Sequence, residues 1–344
     1  MRGREYGCRA RTVGGRWMER RILHINTDDF YASVCRLRDP ALRGRAVVVA
    51  GPPPRGMVVS ASYEARGEGV VQGMTVSSAR RLCSRGMFVP PDWQLFRRAS
   101  RAVFGVLERY SPIVERASLD EGYIDYTGCG RLFGHVLDAG ARIKSEIACK
   151  TGLAVSVGIA ANKLVSHVAS RTAKRAHLVD VYTGYEKPFL APIPIDRFPI
   201  VDTGRASLLH ELGISRVGDV LLFTEEIFFV CFGTWGKRLY RGATGEDHAP
   251  VRSCPAPKER MRTEEVLEPD RVSRQPLEAA LYRLSEGTGE KLRSERLLAR
   301  SLVLELRYAD GVEVRGKKRL VEPSSDDLKL YETVRGVFAR LFGR

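Results

Sequence analysis

Short apolar runs alternate with helical spacing through the first half of the chain, up to about residue 185. Runs of strand length lie at residues 21–26, 46–50, 57–61, 114–117, 122–126 and 154–160. Helical spacing lies at residues 95–110 and 132–150 and again from about residue 162. Hairpin and βαβ connections are therefore mixed, and this mixture predicts an α+β fold.

The second half has a different pattern. From about residue 186, short helical stretches are interrupted by proline and glycine, which is typical of a small helical domain. Three prolines in residues 250–257 predict a linker. Behind the linker the pattern predicts helices at 277–293 and 325–342 and strands at 301–308 and 312–320. A chain of 344 residues has room for about two to four domains, so a multidomain protein is expected.

The chain is strongly basic. A formal net charge of +15 and a pI near 9.7 indicate a partner with regularly spaced negative charge, such as a nucleic acid. Charge alone leaves solubility or anionic lipid as alternatives. The seven cysteines are scattered and never in C-x-x-C spacing, so they predict neither disulfides nor a zinc site. No apolar run approaches the roughly 18 to 20 residues that span a bilayer, so we expect a cytoplasmic protein.

Acidic residues lie beside predicted strands at two places. Asp120 and Glu121 fall in the short connection between two strands, and residues 26–29 end the first strand of the chain. Nucleotidyl transfer needs two divalent metals about 3.5 to 4 Å apart, held by carboxylates that a sheet brings together. Spacing alone leaves this convergence open, because an Asp-Glu pair in a turn is more often part of a solvated loop.

Four motifs occur in order along the chain. They are ILHINTDDFYASV at residues 22–34, ASYEAR at 61–66, SLDEGYID at 118–125 and SVGIAANKL at 156–164. Together they resemble the Y-family of lesion-bypass DNA polymerases, particularly its bacterial DNA polymerase IV branch, from about residue 20 nearly to the end. The resemblance implies an α+β right-hand polymerase with palm, fingers, a helical thumb and a C-terminal little-finger domain.

The resemblance and the patterns together imply the domain bounds. We expect a disordered basic tail at 1–20, a palm at 21–29 and 92–185, fingers at 30–91, a helix-hairpin-helix-like thumb at 186–249, a linker at 250–258 and a little finger at 259–344. Met18 lies directly before the first strand, so the tail is alternatively an over-extended start. Little fingers of the family continue into another strand after the last helix, so we expect this domain to be shorter or to lack that strand.

The family's site residues carry over onto the acidic positions. Asp120 matches a metal ligand, and Glu121 matches a ligand of the catalytic metal or the acid essential to the reaction. The resemblance implies two Mg²⁺ ions, with Mn²⁺ as a substitute.

Asn26 departs from the family, which has at this position an aspartate that ligates both metals. An amide oxygen is a neutral ligand, whereas Mg²⁺ prefers carboxylates and phosphates. We expect a loss of activity on the order of a thousandfold, because even outer partners of a metal site are worth about 10 to 100-fold. Asp28 should lie on the same face of the strand, ~6.6 Å further along, and is a candidate for partial replacement. Asp29 should point to the opposite face.

Five residues match positions that the family uses for the nucleotide. Tyr63 and Arg66 match side chains aimed at the triphosphate, a use that suits hydroxyl and guanidinium donors. Ordinary helix packing is the alternative for both. Lys174 matches a palm lysine that also reaches the triphosphate, although the proline that follows it in the family is absent here. Tyr31, next to Phe30, matches an aromatic steric gate whose ring collides with a ribose 2′-hydroxyl, which implies deoxynucleotide substrates.

The resemblance also implies DNA contacts in the thumb. The first hairpin reads VDTG, ends at Gly204 and contains an aspartate that would repel phosphate. The second element, residues 232–240, contains Gly236, Lys237 and Arg238, which are typical of a turn that binds the DNA backbone. Packing around its tryptophan is the alternative.

Basic residues alternate with apolar ones on the two predicted strands of the last module: Arg300, Arg307, Arg315, Lys317, Lys318 and Arg319. Such a face can follow phosphates, with little sequence information and a steep dependence on salt. A solvated turn is the alternative for residues 317–319.

The leading hypothesis is template-directed, low-fidelity translesion DNA synthesis by two-metal nucleotidyl transfer, weakened by Asn26. The alternative is a catalytically silenced Y-family-like protein that binds DNA or serves as a scaffold in a mutagenesis complex. The neutral amide of Asn26 favours the alternative, while Asp120, Glu121 and Tyr31 oppose it; a deliberate substitution at position 26 is a third explanation. Expected partners are primer-template DNA, dNTP and a sliding clamp or mutagenesis-complex protein, although residues 339–342 do not form a convincing clamp-binding peptide. We expect a monomer.

Overall fold

A computed structural model describes residues 19–53, 56–173, 177–253, 260–267, 273–308 and 312–342. The chain divides into two compact units, Met1–Pro255 and Ala256–Arg344, each of which has its own core. The expected tail at 1–20 lies outside the described residues except for its last two positions, and so does most of the expected linker.

The first unit contains eight described strands and ten helices. The strands are β1 (Ile22–Thr27), β2 (Val47–Ala50), β3 (Val58–Ala61), β4 (Met87–Val89), β5 (Val114–Arg116), β6 (Glu121–Asp125), β7 (Val155–Ala160) and β8 (Leu178–Asp180). The helices are α1 (Phe30–Arg38), α2 (Tyr63–Gly67), α3 (Val76–Leu82), α4 (Trp93–Leu107), α5 (Gly130–Phe133), α6 (Val136–Thr151), α7 (Lys163–Thr172), α8 (Glu186–Leu190), α9 (Thr203–Glu211) and α10 (Glu225–Ala243). Short 3-10 helices lie at Pro40–Leu42, Ile195–Arg197 and Val217–Leu222.

A five-stranded sheet in the order β5-β6-β1-β7-β8 forms the centre of the first unit. Strand β1 is antiparallel to both of its neighbours, so Asn26 lies opposite Glu121 on β6 and opposite Ser156 on β7. One face of the sheet carries Leu23 and Ile25 into an apolar core shared with α4 and α6. The other face is covered by α7. Both faces of β1 are therefore buried, which explains why its sequence is apolar without clear alternation.

Gly158 allows α7 to lie directly on the sheet. A Cβ atom at this position would come within 2.1 Å of the Ser166 carbonyl oxygen and 2.3 Å of the Ser170 nitrogen. Gly158 is the β7 residue opposite His24 on β1, so the close approach brings the residues of α7 over His24.

Two further clusters of apolar residues lie in the first unit, and the second of them also includes residues of α7 such as Val165. A small sheet in the order β3-β2-β4 packs with α2 and α3 around residues such as Val48 and Val76. Helices α8 to α10 pack around Phe198, Leu209 and Phe228. Helix α10 bends at Gly233, whose φ of 62° is a left-handed conformation that glycine adopts without strain.

The second unit contains α11 (Arg274–Ser294), β9 (Ala299–Arg307), β10 (Glu313–Ser324) and α12 (Asp327–Leu341). Strands β9 and β10 form an antiparallel pair, and α12 packs against both strands and against α11. The core contains Leu304 on β9 together with helix residues such as Val337 and Phe338. Among the described residues this module has two strands.

The predicted elements are present, with some changes in their bounds. Glu121 is the first residue of β6, whereas the pattern placed it in the connection before that strand. The predicted helix at 132–150 is two helices, α5 and α6, because Gly134 has a φ of 81° that no α-helix allows.

Candidate active site

Polar side chains meet where β1 ends between its two neighbours. Asn26, Glu121 and Ser156 share one face of the sheet, because residues paired across antiparallel strands point to the same side. The next two residues are held to both neighbouring strands: the Thr27 N–H donates to the Asp120 carbonyl oxygen at 2.8 Å, and the Asp28 N–H donates to the Ala154 carbonyl oxygen at 2.9 Å. The sheet therefore brings together the residues that the motifs place far apart in sequence.

The two aspartates after β1 have different environments. The Ser156 hydroxyl donates to both carboxylate oxygens of Asp28, at 2.9 and 3.0 Å, so this carboxylate lies on the Asn26 side of the sheet. Asp29 adopts a left-handed φ of 50° at the start of α1, and its carboxylate accepts from the Tyr63 N–H at 2.8 Å and from the Arg66 guanidinium at 2.5 Å. Asp29 therefore joins α1 to α2 and is not part of the acidic end of the sheet.

Glu121 forms an ion pair that the sequence did not suggest. Its Oε2 atom lies 2.6 Å from Nη2 of Arg171 on α7 and 3.9 Å from Nε2 of His24. Burial raises the pKa of the Glu121 carboxyl; the Arg171 guanidinium acts in the opposite direction, and the neighbouring Asp120 raises it further. Arg171 thus supplies a positive charge at a carboxylate that a metal would also require.

Asp120 lies in the turn before β6. The Ser118 hydroxyl donates to its carboxylate and accepts from the Asp120 and Glu121 N–H groups at 3.3 and 3.2 Å. Burial, and then the negative charge of Asp120, raise the pKa of the Tyr31 phenol, so Tyr31 and Asp120 are close enough to interact.

Tyr31 and Phe30 differ in how far they are exposed. The Tyr31 ring is half-buried and makes an edge contact with the Phe96 ring, with centroids 4.9 Å apart, which fixes its orientation. Phe30 is only 2% exposed and belongs to the apolar core. Of these two aromatic side chains, only that of Tyr31 is partly open to solvent and so accessible to a nucleotide.

Tyr63 and Arg66 lie on α2, near the end of β1. The Arg66 guanidinium carbon is 4.8 Å from the centre of the Tyr63 ring, and Arg66 Nε donates to the Ala61 carbonyl oxygen at 2.7 Å. With its bond to Asp29, Arg66 is held in place yet remains 45% exposed. Lys174, the third residue expected to reach a triphosphate, lies outside the described residues.

Two histidines lie beneath the acidic end of the sheet. The centroids of the His24 and His167 rings are 4.6 Å apart, and the ring planes are tilted by 33°. Burial holds the pKa of His24 well below its usual value, with His167, Arg171 and Lys163 acting in the same direction. Burial, and then Arg171, lower the pKa of His167 to about 4. Both imidazoles are therefore neutral at pH 7, so the 3.9 Å contact of His24 with Glu121 is not an ion pair.

The donor atoms at the end of β1 fit Mg²⁺ by type, because Asn26, Asp28, Asp120 and Glu121 all offer oxygen. Their charge is lower than the family pattern implies, since Asn26 is neutral and Glu121 already has a cationic partner. Within the described ranges, the only three carboxylate, imidazole or thiol groups with ligand atoms within 4.8 Å of one another are His24, Glu121 and His167. Two features of this site, Arg171 and the histidine pair, were missed from sequence; a histidine inside an apolar strand was the only signal.

A cleft of about 490 Å³ lies between α7 and α10. Lys237 and Arg238 of α10 line it together with Lys163, His167 and Arg241. Basic side chains thus face this cleft from both helices.

The two glycines expected to contact DNA have different settings. Gly204 is the second residue of α9, whose N-cap Asp202 accepts from the Arg205 N–H at 3.0 Å and pairs with the Arg205 guanidinium at 3.1 Å. The Asp202 charge is thus partly balanced by its own helix. Gly236 lies in α10 after the bend at Gly233 and packs tightly against the first part of the same helix, since a Cβ there would come within 2.0 Å of the Phe228 carbonyl oxygen.

The basic residues of the second unit do not all share one face. Arg315, Lys317 and Arg319 alternate along the exposed face of β10. Lys318 lies on the opposite face with Gly316, which packs against α12. On β9, Arg307 shares the exposed face and pairs with a glutamate, while the exposed Arg300 is on the helix-facing side.

None of the described helices is both long enough and apolar enough to cross a membrane.

Comparison with known proteins identifies relatives along most of the chain. The model of the impB/mucB/samB family matches residues 25–171, and the model of its C-terminal domain matches residues 258–344. DNA polymerase IV of Desulfatibacillum aliphaticivorans is 36% identical over 313 residues, which cover 91% of this chain and 79% of that protein. DNA polymerase IV of Gluconobacter oxydans is 32% identical, with 94% of this chain and 91% of that protein covered.

Solved structures agree on the fold. A Y-family DNA polymerase chimera superposes with a TM-score of 0.78 at 21% identity, covering 93% of this chain and 94% of that one. DinB from Sulfolobus solfataricus superposes with a TM-score of 0.62 at 22% identity and the same coverage. The α+β right-hand polymerase fold expected from sequence is confirmed. The chain belongs to the impB/mucB/samB family and is a DNA polymerase IV-like member of the Y-family.

Proposed function

We propose that this protein carries out template-directed, low-fidelity translesion DNA synthesis, adding dNTPs to a primer 3′ end at a rate reduced by Asn26. The observation that carries the proposal is the convergence of Asn26, Asp28 and Glu121 at one end of three adjacent strands, with Asp120 in the adjoining turn. The names of the relatives, DNA polymerase IV, support the same reaction.

The parts of the fold suggest an assignment to the four domains of the polymerase. We assign the five-stranded sheet to a palm at 21–29 and 92–185, and the β3-β2-β4 sheet to fingers at 30–91. Helices α8 to α10 would form the thumb at 186–249. The second unit would be the little finger at 259–344. This assignment rests on the two separate sheets of the first unit, on the all-helical segment that follows them and on the separate core of the second unit.

In the proposed reaction the primer 3′-hydroxyl attacks the α-phosphate of a bound dNTP. Asp120 and Glu121, with Asp28 and Asn26, would hold the divalent ions, two Mg²⁺ or Mn²⁺ in their place. Such ions supply neutralisation of the charge that develops on the attacking and leaving oxygens. The chain's own contribution is to position the substrates. Such positioning in general supplies a large part of the reduction of the activation barrier.

Other side chains would position the nucleotide and the DNA. The Tyr31 ring, held by Phe96, suits a gate against the ribose 2′-hydroxyl. Arg66 and Tyr63, with Lys174, would bind the triphosphate as hydrogen-bond donors. Phosphates of the primer-template would contact Lys237 and Arg238 and the backbone at Gly204 and Gly236. The exposed face of β10, with Arg315, Lys317 and Arg319, would follow the DNA backbone further, without Lys318, which lies on the helix-facing side.

Primer extension tests the proposal. The chain is assayed on an undamaged primer-template with dNTPs and Mg²⁺ or Mn²⁺, and compared with Glu121→Ala and with Glu108→Ala, a control that removes an exposed glutamate outside the site. We expect extension by the chain and by the control, and none by Glu121→Ala. Tyr31→Ala should additionally raise ribonucleotide incorporation by at least about tenfold, because the gate is removed. Extension that survives Glu121→Ala would contradict the assigned site.

A second candidate, a catalytically silent DNA-binding or scaffold protein, is favoured by one observation. The Glu121 carboxylate is paired with Arg171 at 2.6 Å, and the neighbouring Asn26 is neutral, so the site carries less negative charge than two metals require. DNA binding measured by fluorescence anisotropy, alongside extension, separates the candidates. If the unchanged chain binds primer-template without extending it and only the variant Asn26→Asp extends it, the chain is catalytically silenced and the second candidate is correct.

A further inference from the structure

Three potential metal ligands come from three elements at the inner side of the active site. His24 is on β1, Glu121 begins β6 and His167 is on α7, and one ligand atom of each lies within 4.8 Å of the other two. The cluster is enclosed by the sheet on one side and by α7 on the other, because Gly158 permits their close approach. His167 also lines the cleft between α7 and α10, which gives an ion a route from solvent.

The hydrogen bonds determine which nitrogen of His24 carries its proton. The Ser170 hydroxyl donates its only hydrogen to the His167 carbonyl oxygen at 2.9 Å, and it lies 2.6 Å from His24 Nδ1. With that hydrogen on the carbonyl oxygen, Ser170 accepts at His24, and we assign His24 Nδ1 as the donor from this geometry. In the neutral imidazole Nε2 is then the lone-pair atom.

This lone pair faces another acceptor. Nε2 of the fully buried His24 lies 3.9 Å from a carboxylate oxygen of Glu121 and has no hydrogen-bond partner among the described residues. A lone pair and a carboxylate that face one another repel unless a positively charged or hydrogen-donating group lies between them. A metal ion bound by both atoms satisfies this requirement, and a buried acceptor otherwise costs free energy.

Both rings are oriented through their other atoms, as the ligands of metal sites usually are. His24 is held by Ser170, and His167 Nδ1 lies 3.1 Å from the Tyr123 hydroxyl. Two imidazoles and one carboxylate form a donor set for a divalent transition ion such as Zn²⁺, whereas Mg²⁺ prefers oxygen.

We propose that His24, His167 and Glu121 form a binding site for a divalent transition ion of the Zn²⁺ class, distinct from the Mg²⁺ positions and sharing only Glu121 with them. An ion bound there withdraws Glu121 from catalysis and so inhibits the polymerase. The inhibition rests on the proposed function, whereas the binding does not.

Arg171 competes for this site. Its guanidinium pairs with the same Glu121 oxygen that faces His24, so an ion must displace it or bind beside a like charge. Removing the guanidinium should therefore strengthen binding of the transition ion, and we expect a gain of about tenfold for Arg171→Ala.

Titration of the full chain with Co²⁺, followed by visible absorption and by Zn²⁺ displacement, tests the site. We expect one saturable absorption spectrum that is typical of histidine-ligated Co²⁺. The affinity for Co²⁺ should fall by more than about 100-fold in His167→Gln and by about tenfold in Ser170→Ala, which removes the partner of His24. His210→Gln, at an exposed histidine of α9, is the control and should bind normally. Circular dichroism confirms that each variant is folded.

Unchanged Co²⁺ affinity in both His167→Gln and Ser170→Ala overturns the proposal, as does displacement of Co²⁺ by Mg²⁺ at equal concentration. In a parallel primer-extension assay, micromolar Zn²⁺ should inhibit the chain and should inhibit His167→Gln at least about tenfold less. If the chain never extends primers, the proposed function fails while the Co²⁺ titration still decides the metal site.

Discussion

The two faces of β1 perform different tasks with neighbouring residues. Leu23 and Ile25 point into an apolar core with α4 and α6, and both are at most 1% exposed. His24 and Asn26 point to the other side, where α7 and the strand ends bring polar groups together. Both faces are buried, but only one of them is stabilised by apolar contacts alone.

The difference shows how a single strand can combine stability and chemistry. On the apolar face, burial is favourable without any partner of defined geometry. On the polar face each buried group needs a specific partner: Ser170 for His24, Arg171 for Glu121 and Ser156 for Asp28. Substitutions on the first face should therefore change the free energy of unfolding, and substitutions on the second should change catalysis and the dependence on pH.

The largest effect is expected for Asn26→Asp. A restored carboxylate adds a negative charge beside Glu121, and we expect kcat/KM for primer extension with Mg²⁺ to rise on the order of a thousandfold, equivalent to about 4 kcal/mol. Gln94→Glu adds the same charge at an exposed position of α4 and should leave the rate unchanged. An increase below about tenfold would mean that Asn26 does not limit catalysis.

The opposite face is tested by Leu23→Ala. Removing a fully buried leucine leaves a cavity, and the free energy of unfolding should fall by about 3 kcal/mol in urea titrations. Under conditions in which the variant is folded, kcat for primer extension should change less than about threefold. A large loss of kcat with unchanged stability would show that the two faces are not separable.

The sequence alone predicted the strand β1 and the polar residues at its end. The apolar run at 21–26 identified β1, and the motifs identified Asp120, Glu121 and Asn26, which the sheet does bring to one end. Such features are local, since each depends on hydrophobicity or on a motif of a few residues.

The polar partners could not be predicted in this way. Glu121 and Arg171 are 50 positions apart, and His24 and Ser170 are 146 apart, so their contacts depend on how α7 lies on the sheet. That placement depends in turn on Gly158, which in sequence resembles any glycine of a strand. Strand alternation already places Lys318 opposite Lys317 and Arg319, so grouping the three was an error of interpretation; which of the two faces α12 covers could not be predicted.

Gly158→Ala tests the close approach that creates the polar face. Its new methyl group would meet backbone atoms of α7 at 2.1 and 2.3 Å, so the helix must shift, and we expect a loss of about 2 to 3 kcal/mol in the free energy of unfolding. Gly105→Ala is the matched control: nothing lies within 4 Å of its added methyl group in α4, and it should stabilise by up to about 1 kcal/mol. Equal stability of the two variants would mean that α7 does not need the glycine.

The dependence of the free energy of unfolding on pH also distinguishes the two faces. The pKa of His167 falls to about 4 in the folded chain, so the unfolded chain binds more protons between its usual pKa near 6.5 and about 4. The stability that comes from this residue is thus fully present above pH 6.5 and is lost as the pH falls towards 4, by about 3 kcal/mol in all. His24, whose pKa is also lowered, acts in the same direction. Urea titrations from pH 7 to pH 4.5 should show a steeper loss of stability for the chain than for His167→Gln. Leu23→Ala should keep the steep slope of the chain while lying below it at every pH, because an apolar face carries no titratable group. A slope that is lost in Leu23→Ala and kept in His167→Gln would contradict the assignment of the pH dependence to the polar face.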